Sequence, residues 1–233
     1  GLGDVYKRQA YDITTMNTTP VSYRCVSSDE TSPTAFCFNS DGTRLFVTGS
    51  TSDSITEYSL STAYDLFTTT SLWLGTRNPH ATFAGSLTNA EIAPNDIQFS
   101  NTGTTMYILG QTNDKIVQIP LEEAWEPASA TLLYSNYFQQ DTLLAAGGGH
   151  YINKAQSGTR MLLTVDNSTT GGTIYQMTLQ KAGDPATAVY DNFSFAPADG
   201  TQAVALSADG TKMYTVGTGS DYICLLYTSD AAD

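Results

Sequence analysis

Phe38-Asn39-Ser40-Asp41-Gly42-Thr43-Arg44-Leu45-Phe46-Val47-Thr48-Gly49 decides the fold, because it recurs. It aligns without gaps on Phe99-Ser100-Asn101-Thr102-Gly103-Thr104-Thr105-Met106-Tyr107-Ile108-Leu109-Gly110. It aligns again on Leu206-Ser207-Ala208-Asp209-Gly210-Thr211-Lys212-Met213-Tyr214-Thr215-Val216-Gly217, and a weaker copy begins at Ser157-Gly158-Thr159-Arg160-Met161-Leu162-Leu163. Each copy holds an apolar run, a polar turn with one glycine and a second apolar run, which is the pattern of two strands joined by a tight turn. Gly42, Gly103, Gly158 and Gly210 fall where such a turn needs a positive φ that a side chain would strain.

The likeness continues beyond the hairpin. Asp53, Asp114 and Asp221 stand eleven residues after a turn glycine, and a third strand is read in Ile55-Thr56-Glu57-Tyr58-Ser59-Leu60, Ile116-Val117-Gln118-Ile119-Pro120-Leu121 and Ile174-Tyr175-Gln176-Met177-Thr178-Leu179. Three residues past each closing Leu come Ala63-Tyr64-Asp65, Ala124-Trp125-Glu126 and Ala182-Gly183-Asp184. A short fourth strand is expected at 71–74 and 131–134. Four short antiparallel strands per unit, repeated, predict an all-β chain: a β-propeller fragment of about three to four four-stranded blades, forming an open arc. The turn glycines lie 61, 55 and 52 positions apart. A compact blade takes roughly 40 to 45 residues, so the surplus belongs in loops. The expected division is a blade remnant at 10–34, blades at about 35–95, 96–148 and 149–202, and a partial blade at 203–223.

Both ends read differently from the middle. Asp4-Val5-Tyr6-Lys7-Arg8-Gln9 and Cys224-Leu225-Leu226-Tyr227-Thr228-Ser229 resemble the translated ends of sequencing-library adapters, one forward and one reverse-complemented. Residues 1–9 and 224–233 are therefore expected to be adapter-derived and the rest a metagenomic fragment that starts and stops inside repeats. Residues 224–228 are nonetheless β-capable and are expected to extend the last strand.

Ten Lys and Arg against 23 Asp and Glu give a net charge of −13, which repels phosphate backbones and argues against a nucleic-acid partner. Abundant β-branched and aromatic residues separate the chain from acidic disordered tails. No apolar run approaches the roughly 20 residues of a spanning helix, so membrane insertion is not expected. Cys37 lies between Phe36 and Phe38 and reads as a small buried thiol, while a bridge to Cys25 stays open.

At these residues the chain resembles propeller repeats of the form F-S-x-D-G-T-K-M-Y found in phage tail-fibre and other viral structural proteins and in bacterial surface proteins. These are similar in architecture to the WD40 and YVTN families. The resemblance implies a binding scaffold on a virion or an extracellular surface, with no cofactor. It further implies as partners a carbohydrate, a host surface receptor or other virion proteins.

Candidate sites are sparse. The recurring Asp53, Asp114 and Asp221 read as Asx turns rather than as calcium ligands, because no D-x-D-x-D-G loop accompanies them. His80 and His150 lack any metal-ligand spacing, so no metal site and no catalytic residue is assigned. The connections at about 17–34, 75–95, 135–149 and 191–202 are the expected binding face, since insertions in repeat proteins gather on one side. They carry Arg77, Asn78 and His80, then Tyr137, Phe138 and Gln139, then Asn192, where aromatic rings beside amides suit sugar binding. A structural role for Phe83, Phe138 and Phe193, as plugs between blades, weighs at least equally. The alternative function is a propeller-fold enzyme, a metal-dependent lactonase or a lyase, with Glu91, Asn95 and Asp96 near an axial site.

Overall fold

A computed structural model describes residues 24–51, 55–70, 94–110, 115–130, 136–139, 150–153, 158–165, 172–197, 201–207, 210–217 and 223–227. The first sheet runs β1 (Pro33–Phe38), β2 (Arg44–Gly49), β3 (Ile55–Leu60) and β4 (Thr69–Thr70). The second runs β5 (Pro94–Phe99), β6 (Thr105–Gly110), β7 (Lys115–Pro120) and β8 (Asn136–Gln139). The third runs β9 (His150–Asn153), β10 (Arg160–Val165), β11 (Thr173–Leu179) and β12 (Ala188–Phe195), and a fourth has β13 (Thr201–Leu206), β14 (Lys212–Gly217) and β15 (Ile223–Tyr227). Neighbouring strands in every sheet are consecutive in the chain and antiparallel, as hairpin connections require.

Register repeats along with sequence. Phe46 pairs with Cys37 and Glu57, and Tyr107, its counterpart one repeat on, pairs with Gln98 and Gln118. A bulge recurs near the start of the first strand, at Pro33/Ala35, Pro94/Asp96 and Thr201/Ala203.

The core lies between sheets more than within them. Strands β2 and β6 are buried from their second residue onward, on both faces, which explains their near-continuous apolar runs. Phe46 and Ile55 of the first sheet join Ile97, Phe99, Met106, Ile108, Val117 and Ile119 of the second in one cluster. Tyr107, Leu109 and Ile116 of the second sheet join Met161, Leu163, Val165, Met177 and Leu179 of the third. The first strands β1 and β5 adjoin, as do β9 and β13, and Thr34 Oγ1 on β1 donates to Pro94 O on β5 at 2.7 Å.

The outer strands depart from expectation. In the second sheet the fourth strand is Asn136–Gln139, and in the third it extends over Ala188–Phe195. Tyr137, Phe138, Gln139 and Asn192 therefore lie on outer strands, paired to β7 and within β12, and not on connections between sheets. An outermost strand has one unpaired edge, and β12 is largely exposed, so no strict alternation marks it in the sequence. Stretches 71–74 and 131–134, with Asp53, Asp114, Asp221 and Phe83, lie outside the described residues. The adapter-like 224–227 do extend the last strand, with Cys224 opposite Thr215 and Leu226 opposite Met213. None of the three cysteines forms a disulfide; Cys25 is exposed and Cys37 is half-buried against the first inter-sheet cluster.

Candidate functional site: the clefts between sheets

Each unit is closed by one corner that recurs three times. The turn glycines take φ of +73° at Gly42, +72° at Gly103 and +70° at Gly158. Their carbonyls accept from Tyr64 N (2.8 Å), Trp125 N (2.9 Å) and Gly183 N (2.9 Å), which are left-handed at φ 61°, 61° and 68°. A Cβ at Gly42 or Gly103 would run into the ring of Tyr64 or Trp125, so the glycine is required by the aromatic side chain as well as by its own φ.

A 3-10 turn follows in each unit. Asp65 and Asp184 cap it through their side chains, accepting from Phe67 N (3.0 Å) and Ala186 N (3.2 Å), while Pro127 opens the remaining one. Thr68, Ser129 and Thr187 then hook back, their hydroxyls accepting from Thr62 N, Glu123 N and Lys181 N at 2.8–3.1 Å.

These corners are gripped by the preceding sheet. Arg44 Nη1 donates to Trp125 O at 3.0 Å and to Glu126 Oε2 at 2.9 Å, and one repeat later Tyr107 OH donates to Gly183 O at 2.6 Å. Arg44 Nη1 also lies 3.0 Å from Glu57 Oε1, an ion pair without hydrogen-bond alignment, so that oxygen is buried without a hydrogen-bond partner. Burial pushes the Glu57 carboxyl up to about 7, against the opposing pull of Arg44 and with a further push from Glu126. Burial, and then the Asp184 charge, push the Tyr107 phenol up to about 12.

Three clefts result. Between the first and second sheets Arg44 and Trp125 occupy the space, the indole tilted over Phe99 at 5.2 Å between ring centroids. Between the second and third sheets a cavity of about 300 Å³ is lined by Phe99, Ser100, Thr105, Tyr107, Gln118 and Gly183 among others. Between the third and fourth sheets one of about 490 Å³ is lined by Arg160, Gln176, Phe193, Phe195 and Met213 among others. Phe193 is 70% exposed. It sits in a bulge where Asp191, Asn192 and Phe193 face the single residue Gln176, whose Nε2 donates to Asp191 Oδ2 at 2.8 Å. Asn192 takes φ 61°, which Asn tolerates better than most residues.

Of the residues singled out from sequence, Asn192 lies in this bulge beside the third cleft, and Tyr137, Phe138 and Gln139 lie on β8, the outer strand of the second sheet. Arg77, Asn78 and His80 are outside the described residues, as is Glu91. Asp96 Oδ1 accepts from Ile97 N at 2.8 Å on β5. Among the described residues no three His, Cys, Asp or Glu side chains converge. Sequence reasoning missed Arg44, Glu57, Tyr107 and Gln118. The signal available was the variation at matched positions, Arg44 against Thr105 and Trp125 against Gly183, within otherwise constant repeats.

No protein-family model matches the chain, and no curated protein sequence does. Solved structures match by shape alone. Two Bacteroides proteins provisionally named 6-phosphogluconolactonases, from B. uniformis and B. fragilis, superpose with TM-scores of 0.54 and 0.55 at 11% and 10% identity. Each comparison covers 85% of this chain and 51% of the other. A chain of a nidogen/laminin complex matches with a TM-score of 0.50 at 14% identity, over 84% of this chain and 60% of that one. The fold is that of a β-propeller. The sheets are its blades, and the chain spans about half the length of the two Bacteroides proteins it matches. At these identities the likeness carries the blade architecture and nothing of the chemistry.

Proposed function

We propose that this propeller is a non-enzymatic binding module of a viral, tail-fibre-like or cell-surface protein, which takes a carbohydrate or a surface receptor at its inter-blade clefts. The observation that carries this reading is Phe193, 70% exposed on a bulge of the outer strand while lining the cleft that also holds Arg160 and Gln176. An open aromatic face beside a guanidinium and a carboxamide suits stacking on a sugar ring with hydrogen bonds to its hydroxyls. Adapter-derived ends would take no part in this function. The test is a glycan array followed by titration of the best hit. Phe193→Ala is expected to weaken binding up to about tenfold, the worth of one stacked aromatic. Equal binding by the variant, or no saturable hit, would remove this reading.

The enzymatic alternative draws on the names of the two Bacteroides neighbours and on Asn95 and Asp96 of the inner strand β5. Hydrolysis of a phosphorylated sugar lactone by the chain, lost in Asp96→Asn, would establish it.

A further inference from the structure

We propose that the slot between the second and third blades is a binding site for an alkylguanidinium group. Three matched positions carry the argument. Between the first and second blades they are Arg44, Trp125 and Glu57, and the Arg44 guanidinium lies against the Glu57 carboxylate and the Trp125 carbonyl. One repeat on they are Thr105, Gly183 and Gln118. The two bulky side chains have become small ones, and the vacated space is the cavity of about 300 Å³, at the lower end of small-molecule sites. The acceptor has stayed. Gln118 holds the same register against Tyr107 that Glu57 holds against Phe46, lines the slot, and its Oε1 is buried with no hydrogen-bond partner.

A buried acceptor without a donor is unfavourable, and a ligand that brings N–H groups relieves it. Several features select a planar cation among donors. The net charge of −13 favours a cation over a neutral donor. The Phe99 ring is turned into the first cleft, against Phe46 and Trp125, so the planar fit rests on the space that Thr105 and Gly183 leave. Ser100, Thr102 and Thr104 add hydroxyl acceptors. The first inter-blade cleft thus contains, covalently tethered as Arg44, the group the second is shaped to receive from outside. This slot is separate from the Phe193 cleft, so failure of either reading leaves the other standing.

The experiment is a titration of the whole chain with agmatine, followed through the Gln118 side-chain amide by NMR. A saturable shift is expected, with n-butylamine binding at least about tenfold more weakly because an ammonium lacks the planar fork. Thr105→Arg supplies an internal guanidinium and is expected to abolish binding. Gln118→Glu recreates the Glu57 carboxylate and is expected to tighten binding about tenfold, as charge-assisted hydrogen bonds do. Gln118→Leu removes the acceptor and is expected to weaken binding about tenfold, a readout that stands should Thr105→Arg not fold. A capped Gly-Arg-Gly peptide distinguishes the sources: binding as tight as agmatine assigns the group to a partner chain, and weaker binding assigns it to a free small molecule. No saturable shift with agmatine, or binding unchanged in Thr105→Arg and Gln118→Leu, overturns the proposal.

Discussion

At the scale of single residues, the recurring glycine is held by two constraints that separate experimentally. Gly103 and Gly210 share φ of +72°, but a Cβ at Gly103 would strike the Trp125 indole, whereas at Gly210 it meets nothing within 4 Å. Gly210→Ala is expected to lose only the cost of a left-handed alanine, about 1 kcal/mol. Gly103→Ala adds an overpacking penalty and is expected to lose about 3 kcal/mol. Urea unfolding of the two variants checks this, and equal losses would show that the aromatic lid is incidental. The glycine was legible from sequence through its turn. Its aromatic partner, 22 residues downstream at Tyr64 or Trp125, was not, because only the folded corner brings the two together.

At the scale of elements, the junction between one blade's middle strands and the next blade's corner concentrates the electrostatics. Arg44 on β2 bridges Glu57 on β3 and Glu126 in the second blade. The Glu57 carboxyl shifts from an ordinary value of 4.5 to about 7 on folding. Between these values the folded chain retains a proton that the unfolded chain has released. This site's contribution to stability is therefore complete below pH 4.5 and is lost as pH rises through 7. In Glu57→Gln the difference in urea midpoint between pH 5 and pH 8 is expected to shrink relative to the parent chain. An unchanged difference would mean that Glu57 does not titrate in this window. Outer strands teach the opposite lesson: Tyr137, Phe138, Gln139 and Asn192 read as loop residues because a strand paired along one edge only is less constrained in its sequence.

At the scale of the whole molecule, the described apolar clusters join neighbouring blades, so stability is close to a sum of blade and interface contributions. Strands β2, β6 and β10 are central in their sheets and line the inter-blade clusters. Among the described residues the last sheet has three strands and leaves Val216 and Ile223 41% and 55% exposed. Hydrogen exchange is accordingly expected to be slowest in β6 and β10 and fastest in β13, β14 and β15. Uniform protection across all blades would indicate a single cooperative unit instead.

The amino-acid sequence by itself determined the repeat, the hairpins, the left-handed glycines and the blade architecture, because these depend on local backbone preference and on alternation within about 20 residues. It also showed which repeats differ from one another. What those differences mean was decided only by the tertiary structure. Arg44 and Trp125 are more than 80 positions apart, and only blade-on-blade packing puts a guanidinium against that corner carbonyl in one cleft. The same packing leaves the next cleft open where Thr105 and Gly183 stand.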